Sequence, residues 1–547
     1  MTVTPIKPAP AEPARVEQPK PRNRVKQWLL DHWKSIVLVC VLMVPVGLAS
    51  WLNLKGFPGT VNDDEGTYVD QAWAVLKQGH LAHYTYWYDH PPLGWMQISG
   101  YAWLTNGFER SDYAVMLGRE YMSVINMVAA ALVYVIMRRL KFNRVIASVA
   151  VLLFACSPLA IYYHRMVFLD NIQVFWMLVA MAFAVSPRRS LASAIGAGLC
   201  LTLSTLSKET GGIAIVVILV LLWQNLPRGR YFRFKGLTLF ISTYAVTSMF
   251  YIGMAILKGE LIPGKGHVSL TSALWWQMFG RTSTGNPLQD GTEANSLVDF
   301  WWSWDHWMIP AAFFLIVIGL CFRRTRALAI GYTIQVGLMF KAGYVPKAYA
   351  IELIPFAALL IAGTFGELCR WVKVSRDEAK WTRVRKRSLN IVGLGLAACL
   401  LGSFVVNAGP QWRQTVPTEL SRDSAQYLPQ TLKWMEENVP RDAHVVLDDN
   451  LWLDAKRAGF TRIDWLYKLD LDPAVKLNYP DEWNSIDYIV IDRLPDQLLR
   501  GLPMVYEAIQ HSKKVHFVGN DDVAYTVYKV NHPAWYHRKS APWYPAQ

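Results

Sequence analysis

Charge is scarce in this sequence: only 18% of its 547 residues are Asp, Glu, Lys or Arg, against 53% hydrophobic residues and 24 Trp. That balance excludes an ordinary soluble multidomain protein and makes lipid part of its solvent. Cysteine is informative by its placing. The six, Cys40, Cys156, Cys200, Cys321, Cys369 and Cys399, lie in or beside apolar runs, with no CxxC pair and none in the long polar loops. Neither a disulfide framework nor a thiolate metal site is indicated. There is no GxxxxGK[ST] phosphate loop, no internal repeat, and no low-complexity stretch beyond a Pro-rich, basic N-terminus. The formal net charge of +14 would suit nucleic acid, but the basic residues form short clusters between apolar runs rather than a stripe. No nucleic-acid partner is expected.

What is present is a succession of apolar runs, many near the roughly 20 residues that a helix needs to cross a bilayer core. They fall near 36–52, 116–137, 145–163, 167–185, 190–206, 211–226, 236–257, 307–322, 327–342, 347–368 and 389–407, predicting about eleven spans. Residues 1–35 read as a disordered cytoplasmic tail ahead of a signal anchor rather than a cleaved signal peptide. Cytoplasmic loops carry the Lys/Arg excess. An odd number of spans starting inside puts every basic cluster on one side: Arg138 to Arg144, Arg188 and Arg189, Arg228 to Lys235, Arg323 to Arg326, and Arg370 to Arg387. The other side receives loops 53–115 and 258–306, short turns at 164–169, 207–210 and 341–347, and everything after about 408. That last segment carries short β-like runs at 443–448, 486–491 and 523–530. The expectation is a mainly α, polytopic plasma-membrane protein with its N-terminus cytoplasmic. It would have a tail (1–35), a transmembrane domain (36–407) and a small extracytoplasmic α/β domain (408–547).

Five polar features need a reason. Asn62-Asp63-Asp64-Glu65 opens a helical pattern, and Asn62 can cap it with Glu65 as capping-box partner. Three successive acids exceed what a cap requires, and a carboxylate near apolar walls can act as a general base. Tyr88-Asp89-His90-Pro91-Pro92 is either a rigid loop-to-helix corner or a presentation of Asp89 and His90 to a phosphate, an acceptor or a metal. Two such residues alone do not close a metal site. Asp170, just inside an apolar helix, is costly there and suggests function; an Arg165–Asp170 structural pair is the competing account. Ser207-Lys208-Glu209-Thr210 is a turn with a satisfied ion pair or a cation for a lipid phosphate. Lys347 and Tyr349 open the tenth span as snorkelling and belt anchors or as part of a site. The charge-derived topology puts all five on one face. Trp275, Trp276, Trp301, Trp302, Trp304 and Trp307 flank or lie in the second long loop and read mainly as interface anchors.

The acidic pair Asp64-Glu65 after the first span, His90-Pro91-Pro92-Leu93-Gly94 before the second, Leu169-Asp170 at the start of the fourth and Lys347-x-Tyr349…Pro355 resemble the GT-C membrane glycosyltransferases. The chain is most similar to the dolichyl-phosphate-mannose–protein mannosyltransferase family and its bacterial relatives, including the aminoarabinose transferases acting on lipid A. The likeness spans roughly the first 370 residues. It implies a GT-C helical architecture and inverting transfer of a sugar, mannose or related, from a polyprenyl-phosphate donor. The acceptor would be a protein, lipid or cell-envelope glycan at the extracytoplasmic face. Asp64 would be the general base, Glu65 would assist or orient it, and Asp170 would position sugar or acceptor. Lys208, with Arg165 and Lys347, would stabilise the leaving phosphate, and Asp89, His90 and Tyr349 would line the donor site. A divalent ion near Asp89 and His90 is the one cofactor to consider besides the donor. The sequence Asp89-His90-Pro91-Pro92 is closer to the mannosyltransferase form, because the aminoarabinose transferases tend to show Lys before the Pro pair. The C-terminal segment does not resemble the β-trefoil insertion of eukaryotic protein mannosyltransferases. The rival readings are a multi-span transporter of a lipid-linked or anionic substrate, against which the polar groups gather at one face rather than at midplane, and a non-catalytic assembly protein. Sugar, acceptor and oligomeric state stay open.

Overall fold

The structure, a computed structural model, describes residues 24–56, 63–265, 267–341, 343–377, 383–423, 425–492, 499–520 and 523–533. The start of the expected tail and the Asn62 cap lie outside them. Two units are distinguished, Met1–Val41 and Leu42–Gln547. The described part of the first is the opening of the helix Arg24–Trp51, so residues 24–35, expected to be disordered, are helical instead.

Segments of the second unit that are too apolar for water form helices, since in hydrocarbon only the helix satisfies its own backbone groups. Across both units, five helices are long and apolar enough to cross a membrane: Gln27–Trp51, Ala114–Arg139, Arg230–Leu257, Lys347–Val372 and Ile391–Ser421. The other six expected spans coincide with shorter or broken helices among the described residues. Leu169–Ala184, Leu191–Ser207, Ile215–Asn225 and Arg326–Met339 have 16, 17, 11 and 14 residues. Arg144–Cys156 stops where Ser157 caps a new helix, Pro158–Tyr163, with proline at its first position. Met308–Phe314 and Ile316–Cys321 are divided at Leu315.

The basic loops meet at one end of the helices. Arg324 Nη1 donates to the Lys141 carbonyl at 3.2 Å and pairs with Glu367 at 3.4 Å. Asn225 Nδ2 donates to the Ala184 carbonyl at 3.0 Å, and Arg323 reaches the Gln224 carbonyl. The basic residues from Lys373 to Arg387 lie outside the described side chains.

The C-terminal segment forms five strands: β1 (His444–Leu447), β2 (Arg462–Trp465), β3 (Tyr488–Ile491), β4 (Ser512–Gly519) and β5 (Ala524–Val530). Their order is β2-β1-β3-β5-β4, with β1 parallel to both neighbours and β5 antiparallel to both of its own. β1, β3 and β5 are the expected runs. β2 and β4 escape a hydrophobicity reading because they are edge strands, and β4 carries Lys513 and Lys514 with a register shift between Lys514 and His516.

Alternation along the strands separates two cores. Val446, Ile489 and Ile491 face one. Val445, Leu447 and Val490 face the other, which also contains Val69, Ala72, Trp95 and Leu117. The expected boundary near 408 is therefore no break in packing. Gly66 shows how close the approach is: a Cβ there would collide with the backbone of Asp449 and Asn450. Polar contacts seal the same face. Trp465 Nε1 donates to Asp70 at 3.0 Å, the Ala114 amide donates to Asp454 at 3.1 Å, and the Thr67 hydroxyl donates to Asp449.

Buried carboxyls on both faces of the sheet hold protons. Burial pushes Asp464 up to about 8, only partly offset by hydrogen bonds from Tyr479 and Asn478, and pushes Asp454 up to about 6. A carboxyl whose folded value lies above its unfolded one retains a proton that the unfolded chain releases. Stability then falls as pH rises from near 4 to the folded value, by about 1.4 kcal/mol per pH unit for each such group. The thermal midpoint in detergent is expected to drop between pH 5 and pH 8, and Asp464→Asn should flatten that slope, with Asp454 and Asp70, whose carboxyls burial also pushes up, keeping the rest. An unchanged slope in the variant would show that the proton sits elsewhere.

Candidate active site

The helix Asp63–Gln78 begins the site. Helical spacing sets Asp64 and Tyr68 on one face and turns Glu65 about 100° away from it. Asp64 is partly exposed, whereas Glu65 is wholly buried. Glu65 receives Arg119 Nε and Nη2 at 3.0 and 2.9 Å and the Val167 amide at 3.0 Å. A carboxylate so enclosed has no room to meet an acceptor. Glu65 ties the Asp64 helix to the helix Ala114–Arg139 and to the turn before Asp170.

Around Tyr68 the acids and bases converge. Burial, and then the charges of Asp64 and Asp170, with Tyr86 and Glu209 nearby, push its phenol well above the ordinary value. Asp170 opens the helix Leu169–Ala184 and is buried, with Lys208 Nζ at 2.7 Å from Oδ2. The alternative Arg165–Asp170 pair is thus replaced by Lys208–Asp170. Lys208 ends the helix Leu191–Ser207. Its neighbour Glu209 takes His90 Nδ1 at 3.0 Å, and the His90 ring stands edge-on to Tyr68 with centroids 6.2 Å apart. Because a carboxylate only accepts, Nδ1 carries the proton in this bond.

The remaining expected residues divide. Asp89 pairs with Lys468 at 3.4 Å. It and His90 face different partners, and among the described residues no group of three His, Cys, Asp or Glu could hold a metal ion. Arg165 is buried and donates to the Leu52 carbonyl at 2.6 Å. Tyr349 is buried with its hydroxyl on Gln335 Oε1 at 2.7 Å. Lys347 is exposed, and its carbonyl accepts from Tyr163 Oη at 2.7 Å. Four participants had not been anticipated. Glu352, buried in the span that Lys347 opens, lies within electrostatic reach of Asp170 and Lys208. It and Arg119 could have been found by asking what a charge does inside an apolar run. Tyr68 and Lys468 carried no comparable signal.

Residues 89–251 match the family described as dolichyl-phosphate-mannose-protein mannosyltransferase, a stretch that starts at Asp89 and includes Asp170, Lys208 and Glu209. Comparison with curated proteins gave no match. Among solved structures, ArnT from Cupriavidus metallidurans, bound to undecaprenyl phosphate, superposes with a TM-score of 0.55 at 13% identity, over 91% of this chain and 98% of that one. The apo oligosaccharyltransferase of Archaeoglobus fulgidus gives 0.49 at 12% identity, over 93% and 75%. The arabinofuranosyltransferase AftD from Mycobacteria gives 0.45 at 14%, over 93% and 40%. The fold is the one seen in ArnT, which belongs to the GT-C membrane glycosyltransferases. Within that class the chain resembles the dolichyl-phosphate-mannose–protein mannosyltransferase family through the stretch that holds most of the clustered polar residues.

Proposed function

We propose that this protein transfers a sugar from a polyprenyl-phosphate donor to an acceptor hydroxyl at the extracytoplasmic membrane face, inverting the anomeric carbon. The observation that carries the reading is the convergence of Asp64, Asp170 with Lys208, and His90 with Glu209 on Tyr68. Its support from relatives is the mannosyltransferase match over 89–251 and the undecaprenyl phosphate bound to ArnT. Asp64 takes the acceptor proton as the acceptor oxygen bonds to the anomeric carbon. The bond from that carbon to the phosphate oxygen breaks, and its electron pair leaves on the polyprenyl phosphate. Lys208 meets that developing charge, joined by His90 through Nε2–H when it is the imidazolium paired with Glu209, with exposed Lys347 at the rim. Asp170 holds Lys208 and, through it, the sugar-phosphate position. Mannose is the first sugar to test, and the acceptor is a protein, lipid or envelope glycan.

The test incubates purified protein with a panel of radiolabelled polyprenyl-phosphate sugars and an extract of envelope acceptors. Wild type is expected to release polyprenyl phosphate from one donor and label an acceptor, and Asp170→Asn to weaken this strongly by leaving the Lys208 charge without its partner. Uptake of an intact lipid-linked substrate into vesicles, with no sugar transferred, would establish a transporter instead.

A further inference from the structure

The C-terminal domain reaches the site. Lys468 follows β2, and its side chain is only 5% exposed, a burial that an ammonium tolerates only when its charge is met. Three groups meet it, all from the loop before His90. Nζ donates to Thr85 Oγ1 at 2.8 Å, stands 3.7 Å over the Tyr86 ring and lies 3.4 Å from Asp89 Oδ2. Asp472, four residues on, takes the Thr85 amide at 3.1 Å and its hydroxyl at 3.2 Å. Tyr86 lies within electrostatic reach of Asp64 as well as Asp89. One short stretch of the C-terminal domain thus grips the three residues Thr85, Tyr86 and Asp89.

We infer that Lys468 is a positioning residue contributed by the C-terminal domain, holding Asp89 and Tyr86 so that His90 faces Glu209 and the donor phosphate. The inference rests on the proposed donor site. Interdomain adhesion alone would not require these targets, because the shared apolar core and the Asp449, Asp454 and Trp465 contacts already join the domain to the loop helices. Lys468 instead meets the corner whose next residue is His90, and Pro91 and Pro92 make that corner stiff. A shift at Asp89 is therefore passed to His90 rather than absorbed.

The test uses the full chain in detergent and two measurements, amide hydrogen exchange and binding of undecaprenyl phosphate. Lys468→Met should speed exchange at 85–90 while leaving β1 and β3 protected. It should weaken binding roughly tenfold, about the loss of one charge-assisted hydrogen bond. Lys468→Arg should restore most of the affinity, and Asp89→Asn should weaken binding from the other side of the pair, with no substitution made in the C-terminal domain. In the double variant the two losses should not add. If wild type binds and Lys468→Met binds equally, or exchange at 85–90 is unchanged, the positioning role is wrong while the proposed function stands. If wild type does not bind undecaprenyl phosphate, both fail together.

Discussion

Asp64→Asn is expected to lower sugar transfer by roughly 10²–10⁴-fold, the range that a positioned general base supplies, with little effect on folding or donor binding. Asp64 is partly exposed at the start of its helix, so the substitution empties no core. The isosteric amide keeps an acceptor oxygen but cannot take a proton at neutral pH. The acceptor hydroxyl would then attack without base assistance, while Lys208, Asp170, His90 and Glu209 remain to hold the donor. The result sought is a fall in kcat at unchanged affinity for undecaprenyl phosphate and unchanged thermal midpoint. Transfer within twofold of wild type would remove Asp64 from the chemistry. Loss of donor affinity in proportion to activity would make it a binding residue, with the base to be sought among Asp170 and Glu352.

The helices and the shared end of the basic loops were legible in the sequence because one physical rule governs each. Apolar length follows bilayer thickness, and Arg and Lys placement follows topology. What the rule for length overstates is continuity: Ser157-Pro158 and Leu315 interrupt runs whose composition alone is smooth. Asp64, Asp170, Lys208 and His90 were legible as expensive or unusual groups at helix ends. Their partners were not, because pairing is a long-range fact. Nothing in the sequence near Asp170 distinguishes Arg165, five residues away, from Lys208, and local separation favours the wrong one. Lys468 is hidden more deeply, since a lysine in a polar C-terminal segment is ordinarily solvated and only the fold of β2 against the first loop buries it. Glu65 was read through its capping spacing, yet its carboxylate lies on Arg119 and the Val167 amide, contacts that three separate segments must fold to create.

Arg119→Met is expected to destabilise the fold by about 3–5 kcal/mol, the cost of leaving one member of a buried ion pair uncompensated. Arg119 and Glu65 are 2% and 0% exposed, so water cannot replace the guanidinium, and the Val167 amide is the other donor that Glu65 meets among the described residues. Glu65→Gln should be milder, because its amide oxygen can still accept from Val167 while the two guanidinium bonds weaken. The double variant Glu65→Leu/Arg119→Met removes both charges at once. It should recover much of the thermal midpoint lost in Arg119→Met, since well-packed apolar replacements of buried pairs are often neutral or better. It should not recover everything, because the Val167 amide then lacks its acceptor. Activity per folded molecule separates anchoring from chemistry. If Glu65 only anchors the Asp64 helix, Glu65→Gln loses activity in step with its folded fraction. If Glu65 assists the base, the variant stays folded and loses kcat, and the enclosed geometry of this carboxylate would have to open during turnover.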